Sequence, residues 1–537
     1  MKRIIYILFC LSIAGCNYLE DYSQDLVIAK SVQDVDELLL GSGYLRYNSP
    51  DYLAYGDPCY WIHLLDDDVN SIIADRAAAN NVNLLKNTYY GYFAWQWEVG
   101  RNYQKTALAS DAGLWNTLYS RINIANIILS EIRDMDKANE QDEADAWRVQ
   151  GEAYFLRAQF YFFLVNIYGD AYAPSTAAVK LGVPLKLTEY VEHDPDKKTQ
   201  FERATVQRVY EQIVSDLEDA VTCFEKGSRP KSVYRASREA ALLLLSRVHL
   251  YMQDWESARD RALEVLELKN TLAAMSSSDS VAFLTPDNVE IIFTQGAQNL
   301  KKGITGTGGE FCVSSDLYGL YDDADYRKVT YFTTLKDSVG LDYKYDTGEN
   351  PSYLGDVFML RTAEAYLNAA EAYAMLDDAG KAAAYLNDLR TMRIKDYEDE
   401  NYSADGIVQA VRDERRRELC FEGHRWFDLK RYAVCVKAPY QKAIEHVFPL
   451  YDSNNRNAFQ AAEVYRLDIG DPAYTFAIPK DVLNFDTGMP DNPREVRKYI
   501  RTILPADGEE EEVKPGMYGH EIEMYTVEQG EKRDKRQ

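Results

Sequence analysis

The chain has 537 residues, with 60 Lys and Arg against 86 Asp and Glu, a formal charge of −26 and 46% hydrophobic residues. That length can bury a large core and allows more than one conventional domain. A surface this acidic repels phosphate backbones and anionic headgroups, which argues against nucleic-acid binding and against membrane attachment through a basic patch.

At the N-terminus, Lys2 and Arg3 precede a mostly apolar run from Ile4 to Ile13. The run is about half of the roughly 20 residues that a helix needs to cross a bilayer, so residues 1–15 read as a signal peptide and not as a span. Ile13-Ala14-Gly15-Cys16 looks like a bacterial lipobox, which would make Cys16 the lipidated first residue of the mature protein. Glu20 and Asp21 resemble the acidic signal that sends such lipoproteins to the cell surface. No later segment offers about 18 uncharged apolar residues in a row, so any membrane attachment is expected through the lipid only. The remaining cysteines, Cys59, Cys223, Cys312, Cys420 and Cys435, form an odd set without a C-x-x-C and read as buried small hydrophobes.

Residues 40–105 are rich in Tyr, Asp, Asn and Gly, with little sustained periodicity. Within them Asp66-Asp-Asp68-Val-Asn70 mimics the start of a calcium loop. Ser71 and Ala77 stand where that loop needs Gly and Glu, so the aspartates read as capping or loop residues. In Tyr89-Tyr90-Gly-Tyr92-Phe-Ala-Trp95-Gln-Trp97 helical periodicity is absent, and alternation places Trp95 and Trp97 on one face of an extended segment.

Helices follow. The segment from Leu114 pairs with a long helix in which Trp147, Gly151, Tyr154, Ala158, Tyr161, Val165 and Tyr168 share a face, stopped by Gly169. Thr205 is placed to cap an amphipathic helix carrying Val206, Val209, Tyr210, Ile213 and Leu217. Residues 240–252 and 360–376 each lead through a short acidic turn into a second helix with small alanines, as in tetratricopeptide repeats. Four imperfect units result, at about 114–168, 205–268, 358–393 and 406–432. Between them, residues 270–357 are loop-rich, with one strand predicted at 289–293. The fold class is therefore mostly α, a tetratricopeptide-like helical scaffold with an irregular, loop-rich face.

The last unit contains the most distinctive run, Arg412-Asp-Glu-Arg-Arg-Arg-Glu-Leu-Cys-Phe-Glu-Gly-His-Arg-Trp-Phe-Asp-Leu-Lys-Arg-Tyr432. Both charge signs interleave along it at helical spacing beside an apolar stripe, so the run reads as a partly buried ion-pair network and not as an anion clamp. Gly423 stands where a left-handed stop is needed. The run closely resembles the signature R-x-E-R-R-x-E-L-x-F-E-G-x-R-x-x-D-L-x-R of the SusD/RagB family of nutrient-binding outer-membrane lipoproteins. Tyr474-Thr-Phe-Ala-Ile-Pro479 and Met489-Pro-Asp-Asn-Pro493 resemble the family's closing segments, although Asp491 replaces the usual Gln. The resemblance covers roughly residues 16–495, giving a SusD-like domain at 16–498 and a C-terminal extension at 499–537, expected to be a solvated tail with no packing role.

The resemblance implies a cell-surface protein that captures an oligosaccharide and delivers it to a SusC-like TonB-dependent transporter, on which it would act as a lid. A RagB-like peptide cargo is the alternative. A surface glycoside hydrolase and a peptide-binding tetratricopeptide adaptor are the other readings. The sequence has no H-E-x-x-H, G-x-S-x-G or phosphate-cradling G-x-x-x-x-G-K, its six histidines are scattered, and nothing singles out a carboxylate pair. Neither enzyme activity, a cofactor nor a metal is expected. Sugars have apolar C–H faces and hydroxyl rims, which suit flat rings flanked by polar groups. In the family, contacts come from irregular segments like 89–97 and from the insertion here at about 295–320. Tyr90, Tyr92, Trp95 and Trp97 are therefore predicted as stacking rings, with Asn299, Lys302 and Phe311 as further contacts.

Overall fold

The computed structural model describes residues 29–45, 59–73, 84–106, 111–190, 194, 196–276, 281–296, 298, 300–306, 311–336, 338–345, 354–451, 459–504 and 510–511. Cys16 and its signal lie outside them. Eleven helices are labelled here: α1 (Val32–Leu38), α2 (Leu84–Phe93), α3 (Gly113–Asp134), α4 (Glu140–Tyr168), α5 (Val206–Lys226), α6 (Arg238–Met252), α7 (Trp255–Leu268), α8 (Thr362–Met375), α9 (Ala379–Thr391), α10 (Ala404–Leu419) and α11 (Arg425–Ala433). From α3 to α9 each helix packs on the next, and α10 closes the stack against α8 and α9. Among the described residues no helix is long and apolar enough to cross a membrane.

Local chemistry sets the helix ends. Asn139 caps α4 by accepting the Asp142 amide, and α4 gives way to Gly169 at its C-terminus. Thr205 caps α5 as the sequence predicts. The α6–α7 and α8–α9 pairs use one device twice. A left-handed residue, Gln253 (φ 64) or Asp377 (φ 65), ends the first helix. An aspartate then caps the second, with Asp254 accepting the Ser257 amide and Asp378 the Lys381 amide. The predicted unit at 205–268 holds three helices, because α5 serves as partner to α4 as well as to α6.

The core is continuous. Helix α4 is buried on almost every side of its C-terminal half, and nearly all of α6 and α8 is buried. The signature run occupies α10 and α11, and most of its charges are inside. Glu418 is fully buried and accepts from Arg327 (2.8 Å), Arg361 (2.7 Å) and Arg393 (2.9 Å). Arg415 pairs with Asp428 at 2.9 Å, and Arg431 with Glu371 at 2.6 Å. Gly423 (φ 73) turns the chain between the two helices, where a Cβ would come 2.9 Å from Val357 Cγ2.

Strands are short. They are β1 (Val69–Ser71), β2 (Leu181–Pro184), β3 (Arg203–Thr205), β4 (Ile291–Thr294), β5 (Phe311–Val313), β6 (Phe332–Leu335), β7 (Ser338–Leu341), β8 (Met359–Arg361), β9 (Ile444–Tyr451), β10 (Phe459–Leu467), β11 (Arg501–Ile503) and β12 (Glu510–Glu511). The antiparallel pairs β1–β5, β2–β3, β4–β8 and β6–β7 pin loops to the scaffold, and β9 to β12 form a four-stranded sheet in the order β12-β11-β10-β9. The extension is thus not a tail from its start. Strand β11 pairs with β10, the Ile500 amide donates to Val464 O at 2.7 Å, and Arg501 reaches Glu445 at 2.9 Å. Residues 512–537 lie outside the described residues.

Candidate functional site

The predicted aromatic strip takes a different form from the expected one. Residues up to Phe93 belong to helix α2, and Trp95 (φ 46) turns the chain in a left-handed conformation. Trp95 is 1% exposed, its indole N–H donates to Leu65 O at 2.9 Å, and its ring stacks on His446 at 4.3 Å. Tyr90 is buried among Tyr103, Phe448 and Tyr465, with its hydroxyl 2.9 Å from that of Tyr465. Burial pushes the Tyr90 phenol up to about 12. Tyr92 is half-buried and stacks on Trp61 at 4.9 Å. Phe311 is fully buried in β5 against Phe93. Tyr90, Trp95 and Phe311 are core and offer no open face to a ligand. Of the four predicted rings only Trp97 is exposed, at 39%. Asn299 lies outside the described residues, as does the side chain of Lys302.

Glycine explains why the helical period is hidden in the strip. Gly91 interrupts the apolar pattern because a Cβ there would lie 2.3 Å from the Val99 carbonyl oxygen. The chain folds back on this position, and only glycine fits the approach.

The irregular face instead carries an open groove of about 1020 Å³. Its floor is β1, β5 and the start of β9, and the helical turn Ser315–Tyr318 and the β6–β7 hairpin line it as well. Asn70 fixes the floor: its amide oxygen accepts the Val447 amide at 3.2 Å, so β1 is tied to β9 by a side chain as well as by packing. Tyr318 is half-buried, with its hydroxyl 3.2 Å from Thr334 Oγ1 and its ring edge-on to Phe332 at 5.8 Å. Lys442 spans Asp67 at 2.7 Å and Asp316 at 3.1 Å. Arg466 pairs with Glu445 at 3.4 Å. Asp67, Asp316 and Glu445 balance Lys336, Lys442 and Arg466 along the groove, so little net field is left and a neutral polyhydroxyl ligand is favoured over a phosphate.

Beneath the groove lie Asp66, Asp67 and Asp68, whose carboxylate oxygens fall within 4.8 Å of one another. Burial first, then the charges of Asp68 and Asp67, push the Asp66 carboxyl well above the usual range. Burial also acts on Asp67, but Arg425, Arg416 and Lys442 outweigh it and hold that carboxyl well below the usual range. Arg425 and Lys442 each approach Asp67 to 2.7 Å, and Arg416 approaches Asp68 to 2.7 Å. Arg425 and Lys442 already hold Asp67 and Arg416 holds Asp68, so the cluster is an anchor for α10 and α11 and is poorly suited to a metal ion. Of the capping or loop role expected from sequence the loop one is present, as the Asp68 amide donates to Asp66 Oδ1 at 3.0 Å.

Sequence reasoning missed Asn70, Tyr318, Lys442, Glu445 and Arg466. Tyr318 falls inside the 295–320 window. The alternating burial of Ile444, His446 and Phe448 is a strand signal that could have brought β9 to the groove.

A family model described as SusD-like, "starch-binding associating with outer membrane", matches residues 63–250, and a second, described as "SusD family", matches residues 329–494. SusD-like protein P25 of Formosa agariphila is 23% identical over 503 residues, covering 81% of this chain and 90% of the relative. A SusD superfamily protein from Bacteroides thetaiotaomicron has a TM-score of 0.63 at 22% identity, covering 86% of this chain and 100% of that one. A SusD-like carbohydrate binding protein from Bacteroides vulgatus has a TM-score of 0.62 at 22% identity, covering 87% and 99%. At these identities the structural likeness carries the fold.

Proposed function

This chain belongs to the SusD family, and from that premise we propose that it is a cell-surface glycan-binding lipoprotein. It captures an oligosaccharide without altering it and passes it to a SusC-like TonB-dependent transporter in the outer membrane. Cys16 is the lipid attachment point, and the lipid is the sole membrane anchor. The observation that carries the reading is the groove of charge-balanced side chains around Tyr318 on the irregular face. A flat ring beside amide, carboxylate and guanidinium groups matches the faces and rims of sugars, and rings already held in place lose little entropy on binding. Trp97 keeps an exposed face and remains a candidate contact. Asn299 and Lys302 stay candidates from the same insertion.

A glycan and peptide array probed with the soluble protein lacking residues 1–16 tests this. Binding confined to glycans, weakened in Tyr318→Ala, is the expected result. Binding confined to peptides would replace the cargo with the RagB-like one, and product formation from a polysaccharide would make the protein a hydrolase. Fatty-acid labelling that depends on Cys16 tests the anchor, and unlabelled wild type would refute it.

A further inference from the structure

A second cavity, of about 450 Å³, lies between the first turns of α3 and the short helix Lys480–Phe485, and it shares no lining residue with the groove. On α3, the residues Trp115, Asn116, Tyr119 and Asn123 face it. The spacing of 115, 119 and 123 puts them on one side of the helix.

The aromatic wall is built in advance. Trp115 and Tyr119 lie 4.9 Å apart. Trp115 is wedged edge-on against Tyr168 at 4.9 Å, and the Tyr119 hydroxyl donates to Pro184 O at 2.7 Å. Trp115 is buried and backs this wall, so Tyr119, held by its hydrogen bond, is the ring of α3 that meets a ligand without giving up rotamer freedom. The facing wall is fixed as well, because the buried Asp486 carboxylate accepts the amides of Gln200 and Phe201 at 3.0 and 2.9 Å. Phe485 keeps 64% of its surface exposed on that wall.

The rim is made of amides. Asn116 is exposed and makes no side-chain hydrogen bond among the described residues. Asn123 uses its amide oxygen to hold Lys186 Nζ at 2.6 Å, which leaves its N–H groups directed elsewhere. Rings on two sides with amide donors at the edge suit one ligand class, a neutral sugar ring with an apolar face and hydroxyl edges. Pro184, Val482 and Met489 add apolar contact that the C–H face of a sugar can use, whereas an anion would call for a surplus of cations. Here Lys186 stands beside Asp481 and Asp486.

We propose that this cavity is a second carbohydrate-binding site, taking a short stretch of neutral glycan separately from the groove. The sugar chemistry rests on the glycan-binding reading above, but the location does not depend on the groove. A second contact on one glycan chain raises the effective concentration of the first, so two weak sites hold a polymer more firmly than either alone.

The test uses the soluble protein lacking residues 1–16 with maltotriose, cellotriose, xylotriose and mannotriose as probes. The Trp115 indole N–H resonance reports the second cavity. At least one probe should shift it at millimolar concentration. Phe485→Ala and Asn116→Ala should each weaken that response by about three- to tenfold, and Phe485→Leu, which keeps apolar contact but removes the flat ring, should weaken it too. Tyr318→Ala should leave it unchanged. An indole signal that moves with no probe overturns the proposal, as does one that moves equally in the Phe485 and Asn116 variants. Binding lost only in Tyr318→Ala overturns this site while supporting the groove. Binding lost only in the Phe485 and Asn116 variants does the reverse. Unchanged melting curves for these exposed positions separate lost binding from lost fold.

Discussion

Glu418 and Glu445 are both glutamates paired with arginines, and their surroundings give them opposite roles. Glu418 has no exposed surface and gathers Arg327, Arg361 and Arg393 from three separate parts of the chain. Glu445 is one-third exposed on the groove, paired with Arg466 and Arg501. In the dry interior, removing one partner strands charges that water cannot reach. At the rim the same removal is screened, and both partners can turn to a ligand. The buried network fixes how the last helices dock. The exposed one leaves the groove adaptable.

Breaking the hub should produce the largest effect. Glu418→Gln keeps the shape but leaves three buried guanidinium groups short of an anion, and should cost on the order of 3–5 kcal/mol in chemical denaturation. The pH dependence follows from the same contacts. Burial opposes the Glu418 charge, but Arg393, Arg361 and Arg327 outweigh it and hold the carboxyl well below its usual 4.5. A lowered folded-state value means that the stability is present above about 4.5 and lost as pH falls through the lower folded value. The acid limb of the wild-type stability curve should therefore flatten in Glu418→Gln, and an unchanged limb would place the acid sensitivity elsewhere.

Trp95→Ala should come next, at about 3–5 kcal/mol, because it empties a buried site stacked on His446. Trp97→Ala, two residues away and exposed, should stay within about 0.5 kcal/mol by thermal denaturation. Equal effects would mean that both rings are core or both are surface. Arg501 pairs with Glu445 from β11, and Arg501→Ala should cost about 0.2–1 kcal/mol, measured at low and high salt, with the difference from wild type shrinking as salt rises.

The same contrast explains what the sequence made legible. Helix faces and ends follow local rules, so Thr205, Gly169, Asp254 and Asp378 could be read directly, and the interleaved charges of 412–432 announced a buried network. The strip at 89–97 could not be read that way. Gly91 is in α2 for a close approach to Val99, a residue beyond the helix, and its presence hides the period. Trp95 is core because β9 brings His446 against it from hundreds of residues away. The groove is assembled from β1, β5, the β6–β7 hairpin and β9, which meet only in the folded chain. Its residues belong to no shared motif, since ligand contacts are drawn from loops that the scaffold positions but does not specify. The extension past 498 failed for a related reason. Its charge density reads as solvated, yet pairing with the open edge of β10 supplies order that composition does not encode.

Calorimetric titration of Tyr318→Ala beside wild type, using whichever glycan the array identifies, tests the central claim most directly. Tyr318 stands on the irregular face and outside the buried network, so the substitution should weaken glycan binding by about tenfold or more while the folded protein melts within a few degrees of wild type. Unchanged affinity in a folded Tyr318→Ala protein would contradict the assignment of the groove as the glycan site.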